Sequence, residues 1–286
     1  MRAGLCLSGG GIKGTAHIGA IKALEEENIE FNSVAGTSAG SIVATLYACG
    51  YSSSEIYNLF KKYAKDIRYI DWKNICKIIY GVLFKRKLII TGLNSGEVIE
   101  RVINKACNAK GIYNINQIRK ELLIPTIDSD SGKVIIFNSA GIDAEDNNEK
   151  YISNVPIGKA VRASCSYPLV FSPCPYGDRE LLDGGIKENI PWKELKAIGC
   201  KKVLSIAFYS KNKKKCCQNV IEISERAFEL MCDELNRHEI DKIDFLHKIE
   251  LNNISLLQME KMQEIYKEGY NQTKRNMSKI KNYLYI

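Results

Sequence analysis

The chain has 286 residues, 45% hydrophobic and 26% charged, with a formal net charge of +8; that supplies one large core and favours anionic partners, a lipid surface or nucleic acid. Ten cysteines without one C-x-x-C spacing argue against a disulfide framework or a zinc site and for buried, reduced thiols. No apolar run approaches the ~20 residues of a membrane span, and the first eight residues are too short for a signal-peptide core, so a cytoplasmic chain, at most peripheral to a membrane, is expected.

Residues 3–7 have the pattern of a short buried strand. They run into Ser8-Gly9-Gly10-Gly11-Ile12-Lys13-Gly14, and residues 15–27 follow as a helix with Ile18, Ile21 and Leu24 on one face. A glycine loop between strand and helix gathers free backbone N–H groups, which suit a phosphate or an oxyanion. Gly9, Gly11 and Gly14 also match the dinucleotide fingerprint G-x-G-x-x-G. That fingerprint wants an acid at the end of the second strand. Glu30 precedes the candidate strand, and Gly36-Thr37-Ser38 occupies its end. A P-loop fails because no Gly-Lys-Ser/Thr follows the glycines.

Residues 31–35 have the pattern of a second strand, and residues 41–49 that of a helix stopped by Gly50. Between them lies Gly36-Thr37-Ser38-Ala39-Gly40. Strand, sharp turn and helix around G-x-S-x-G form a nucleophile elbow, with small neighbours around a strained serine. The helix N-terminus behind it favours developing negative charge.

Residues 51–120 differ in texture and are expected to form a helical cap. Ser52-Ser53-Ser54-Glu55 resembles a helix cap before Ile56, Leu59, Phe60 and Tyr63. Residues 72–93 are basic and amphipathic, with Trp72, Lys85, Arg86 and Lys87, the pattern of a lipid-facing lid or of a packed cap with solvated lysines. A helix is expected over 97–106. Residues 122–128 and 133–138 are expected to pair as a hairpin. Its turn, Asp128 to Gly132, lacks the later ligands of a calcium loop. A helix over 157–166 ends before Pro168. A strand then closes on Leu182-Asp183-Gly184-Gly185. A helix over 194–198, a buried strand over 203–208, a helix over 221–239, a strand over 244–251 and one long helix over 256–280 complete the chain. Strands alternating with helices predict an α/β fold of three layers, a central and mostly parallel sheet flanked by helices.

Active groups in such sheets gather at the carboxyl ends of the strands, so the glycine loop, the elbow and Asp183 are expected in one crevice. Ser38 is the candidate nucleophile and needs a base within hydrogen-bond reach. His17 falls inside the first helix, and His238 and His247 have no triad context. Asp183, held beside Leu181 and Leu182, is the better base, because burial raises a carboxyl pKa. Gly10 and Gly11, with Ala39 as a third, are the candidate oxyanion donors. Lys13 puts a positive charge beside the loop.

These residues resemble the patatin-like phospholipases: a Gly-Gly-Gly-x-Lys-Gly loop (Gly9 to Gly14), then Gly36 to Gly40 around Ser38, then Asp183-Gly184-Gly185, in the family's order. His17-Ile18-Gly19, Ala163-Ser164, Pro168, Phe171 and Asn189-Ile190-Pro191 agree with it, over about residues 1–65 and 120–280. The resemblance implies a Ser38–Asp183 dyad acting on lipid acyl esters through an acyl-enzyme, with Gly10 and Gly11 as oxyanion donors and without histidine, metal or cofactor. It implies a lipid or acyl-ester substrate; with the net positive charge, peripheral contact with anionic membrane and no nucleic acid is the expectation. Alternatives are a thioesterase or lipase acting on another acyl substrate, or a dinucleotide or phosphate module using Gly9 to Gly14. Lys13 stands where many members carry Arg, which keeps the charge without the planar fork.

Overall fold

The computed structural model describes residues 2–63, 91–142, 150–210, 241–252, 254 and 258–285, with scattered positions between 223 and 240. Most of the basic stretch 72–93, the loop at 143–149, the basic loop at 211–215, Cys76, Cys216, Cys217, Cys232 and His238 lie outside the described residues.

In chain order the strands are β1 (Ala3–Leu7), β2 (Ser33–Gly36), β3 (Glu121–Asp128), β4 (Val134–Asn138), β5 (Tyr151–Ile152), β6 (Cys174–Tyr176), β7 (Arg179–Asp183), β8 (Lys202–Tyr209) and β9 (Phe245–Glu250). The helices are α1 (Thr15–Glu25), α2 (Ala39–Ala48), α3 (Ser53–Tyr63), α4 (Glu97–Ala109), α5 (Ile157–Ser164), α6 (Trp192–Ala197), α7 (Met262–Arg275) and α8 (Met277–Tyr285). The sheet runs β5-β4-β3-β2-β1-β8-β9, with β7 bonded to the far part of β3 and β6 to β7. The pairs β2–β1, β1–β8, β8–β9 and β2–β3 are parallel. The hairpin β3–β4 is antiparallel, as its turn residues predict.

Both faces of the sheet are covered, which is why β1 is an apolar run without alternation. Leu5 and Leu7 face the larger core, with α1, α2, α4, α5, α7 and α8. Cys6 faces a smaller one, with α6. Helices α3 and α4 flank residues 64–90, yet Ile56, Ile99, Ile103 and Cys107 belong to the larger core. Helices α1 and α7 cross at two glycines. A Cβ on Gly19 would fall 2.1 Å from the Tyr266 carbonyl oxygen, and one on Gly269 would fall 2.1 Å from that of Ala16. Among the described residues no helix is long and apolar enough to cross a membrane.

Two expectations are corrected, and one strand is added. The long C-terminal helix is two helices broken at Asn276, whose amide lies 3.2 Å from His247 Nδ1. His247 is itself buried and bonded through Nε2 to Thr273 Oγ1 at 2.9 Å, so a polar anchor beneath the helix sets the break. The two-residue strand β5 had no periodicity to announce it. The strand expected over 31–35 begins at Ser33, because the Phe31 N–H donates to the Tyr47 hydroxyl at 2.8 Å instead of to the sheet.

Candidate active site

The strand order reverses at β1, which has β2 on one side and β8 on the other, and such switch points open a crevice at the carboxyl ends of the strands. The glycine loop leaves β1 there and the serine turn leaves β2. In register, Ala35 faces Leu123 and Thr126 faces Asp183. Ser38 lies three residues beyond Ala35, and Thr126 lies three beyond Leu123, so Ser38 and Asp183 reach the same level of the sheet. Strand β7 runs antiparallel to β3, so Asp183 enters the crevice against the direction expected of a parallel strand. Pro125 faces Ile136 of β4 on one side and, on the other, sits in the gap where β3 changes partner from β2 to β7, a side on which a residue without an N–H is tolerated. A Cβ on Gly184 would lie 2.3 Å from the Pro125 carbonyl oxygen, so only glycine lets the chain turn this closely after Asp183.

Ser38 has φ 52° and ψ −122°, a strained backbone for a residue other than glycine. It occupies the N-cap of α2 but its hydroxyl caps nothing, although serine at this position usually accepts from the first turn. The hydroxyl is therefore left for other chemistry. The flanking glycines permit the turn: a Cβ on Gly36 would lie 2.3 Å from the Gly40 carbonyl oxygen, and one on Gly40 would lie 2.4 Å from that of Leu7. Ser38 is half-buried, and Asp183 is 2% exposed.

Burial pushes the Asp183 carboxyl up to about 7, while contact with the Ser38 hydroxyl and the Gly185 N–H pulls it back down. The Gly185 N–H donates to Asp183 Oδ1 at 2.7 Å. Asp183 Oδ2 is buried with no partner of good geometry. The serine hydroxyl is thus near enough to influence the carboxyl without a well-formed bond, as is common before substrate binds.

The glycine loop is fixed from two directions. The Gly9 N–H donates to the Asn189 carbonyl at 3.2 Å, and a Cβ on Gly9 would lie 3.4 Å from that of Ser38. A Cβ on Gly14 would meet that of Ala39 at 2.7 Å. Gly11 has φ 55°. A Cβ on Gly10 would meet the Phe208 ring at 2.6 Å. That ring packs on His17, with centroids 4.5 Å apart. Burial pushes the His17 pKa down to about 4, so the ring is neutral, with Nε2 donating to the Ser8 carbonyl at 2.8 Å. The N–H groups of Gly10, Gly11 and Ala39 have no acceptor among the described residues, and those of Gly11 and Ala39 open helical turns. Lys13 closes the short turn after the loop. The rival nucleotide reading finds its acid, Glu30, exposed on the surface before β2 begins.

His247 bonds to Thr273 and Asn276. The Asp128 carboxylate binds its own turn through the Asp130 N–H at 3.1 Å and Ser131 Oγ at 2.7 Å. The sequence gives no part to Phe208, to the Asn189 carbonyl or to Ser41, whose hydroxyl donates to the Ser38 carbonyl. Backbone carbonyls and ring packing leave no motif.

A parallel sheet with a strained serine turn and a glycine loop at its switch point defines a class of α/β proteins. The sequence profile described as patatin-like phospholipase matches residues 5–196, and the chain belongs to that family. The uncharacterized protein YqhO of Bacillus subtilis is 32% identical over 247 residues, covering 79% of each chain. The lysophospholipase NTE1 of Meyerozyma guilliermondii is 31% identical over 203 residues, which are 71% of this chain and 12% of that protein. Among solved structures, VipD of Legionella pneumophila superposes with a TM-score of 0.53 at 16% identity, covering 97% of this chain and 67% of that one. ExoU of Pseudomonas aeruginosa, in complex with SpcU, superposes with a TM-score of 0.53 at 17% identity, covering 98% and 52%. These two likenesses concern the fold.

Proposed function

We propose that the protein is a lipid acyl hydrolase of phospholipase A type, with Ser38 as nucleophile and Asp183 as base. The observation that carries this reading is a strained, uncapped serine beside a buried carboxyl whose pKa rises to about 7. An aspartate at its ordinary value is a poor acceptor for a hydroxyl proton; one tuned near the working pH is far better. Asp183 takes the proton of Ser38 Oγ as the oxygen attacks the ester carbonyl carbon. The tetrahedral oxyanion is met by the N–H groups of Gly10 and Gly11, with Ala39 as a third donor. Asp183 then protonates the leaving alcohol, and the acyl group stays on Ser38. Water attacks that ester, gives its proton to Asp183, and the fatty acid departs while Ser38 recovers its proton.

The family membership and the named activity of the fungal relatives support a lipid substrate, and the net charge of +8 suits an anionic lipid surface. The test is release of fatty acid from a chromogenic acyl ester and from phospholipid vesicles. Ser38→Ala and Asp183→Ala are each expected to reduce turnover at least ~10³-fold. Near-normal turnover by either folded variant overturns the reading.

A further inference from the structure

Three consecutive residues at the end of α5 touch both halves of the proposed dyad. The Ser38 N–H donates to Ser164 Oγ at 3.0 Å, and Ser164 is fully buried. On the other side of Ser38, its carbonyl accepts from Ser41 Oγ at 2.6 Å, and Ser41 Oγ lies 3.9 Å from Cys165 Sγ. The Ser166 carbonyl accepts the Asp183 N–H at 3.1 Å. Ser166 Oγ donates to the Arg162 carbonyl at 3.0 Å, which fixes the turn to the last coil of α5. That helix is held in turn by Arg162, which is 8% exposed and bonded to Glu100 of α4 at 2.9 Å.

A non-glycine residue in the left-handed region persists only where its surroundings over-determine it. Ser38 has both adjoining peptide groups held by hydroxyls, one from Ser164 and one from Ser41. We propose that Ser164, Cys165 and Ser166 form a clamp that sets the spacing of the Ser38 hydroxyl and the Asp183 carboxyl, with Ser164 as a positioning residue for ester hydrolysis. The proposal rests on the reading of Ser38 as nucleophile and Asp183 as base. Ser164 touches backbone, not substrate, so its loss acts on the approach of Oγ to the carbonyl carbon. Alanine at 164 leaves the Ser38 N–H buried without an acceptor, and the strained turn is free to relax. Threonine keeps an oxygen at the same place.

The experiment compares wild type, Ser164→Ala and Ser164→Thr at 15 °C, well below their unfolding midpoints. It reads kcat, KM and the rate of Ser38 labelling by a fluorophosphonate. For Ser164→Ala, kcat and the labelling rate are expected to fall together by ~10–100-fold, with KM within about two-fold. Ser164→Thr is expected to recover most of both. If Ser164→Ala does not fold, Ser164→Cys, with a similar volume and only a weak acceptor, carries the same expectation. An alanine variant within two-fold of wild type overturns the clamp, as does a rise in KM alone or a folded threonine variant no faster than alanine. Failure of wild type itself to hydrolyse ester or take up the fluorophosphonate instead overturns the underlying dyad, and the clamp with it.

Discussion

The Asp183 carboxyl is buried, accepts the Gly185 N–H and touches the Ser38 hydroxyl, so its protonation is expected to feed into both turnover and stability. The proposed base works only when ionised, so kcat/KM is expected to rise with pH through a single ionisation near 7, which a pH–rate profile checks. The stability consequence has the opposite sense. Between the ordinary value of 3.8 and about 7 the folded chain keeps a proton that the unfolded chain has lost, so stability falls as pH rises through that window. Asp183→Asn removes the buried charge. It is expected to stabilise the fold by up to about 4 kcal/mol at pH 8 and by little at pH 3, measured by urea unfolding at both pH values. A variant that is inactive yet more stable is the signature of a site kept reactive against its own packing. Glycine at 36 is the neighbouring constraint. Gly36→Ala places a methyl against the Gly40 carbonyl and is expected to destabilise by about 3 kcal/mol or more, read by the same unfolding.

At the scale of elements, the crossing of α1 and α7 and the pairing of α4 with α5 decide how firmly the sheet's larger face is covered. Gly269→Ala would force the backbones of α1 and α7 apart at Ala16, two residues along the chain from Gly14. The expected result is a loss of about 2–3 kcal/mol in urea unfolding. The glycine loop, the serine turn and Asp183-Gly184-Gly185 were legible in the sequence because each requires glycine at a fixed offset: a Cβ at Gly36, Gly40 or Gly184 would fall 2.3–2.4 Å from a backbone oxygen. The strands of the parallel centre were legible as apolar runs. The antiparallel sense of β7 was not, because pairing direction depends on partners more than fifty residues apart, such as Thr126 and Asp183. Nor was the break at Asn276, where helical periodicity continues across a residue turned toward His247.

Over the whole molecule, the site is assembled from stretches that meet only when the sheet is complete. The serine turn and the residue that accepts its N–H are 126 positions apart, and the glycine loop is tied to Asn189. Contacts of such separation close late, since loop-closure entropy opposes them until packing compensates. Loss of ester hydrolysis and loss of tertiary circular dichroism are therefore expected to coincide across a urea titration. Activity vanishing well before the dichroism would mean that the site opens as a separate unit. The tie between Gly9 and Asn189 also bears on synthesis. A chain still on the ribosome, shorter than that tie, has a serine without its carboxylate neighbour and a glycine loop without its anchor. The proposed hydrolase is thus born inert, and its site is complete only once residue 189 has been made and gathered into the sheet.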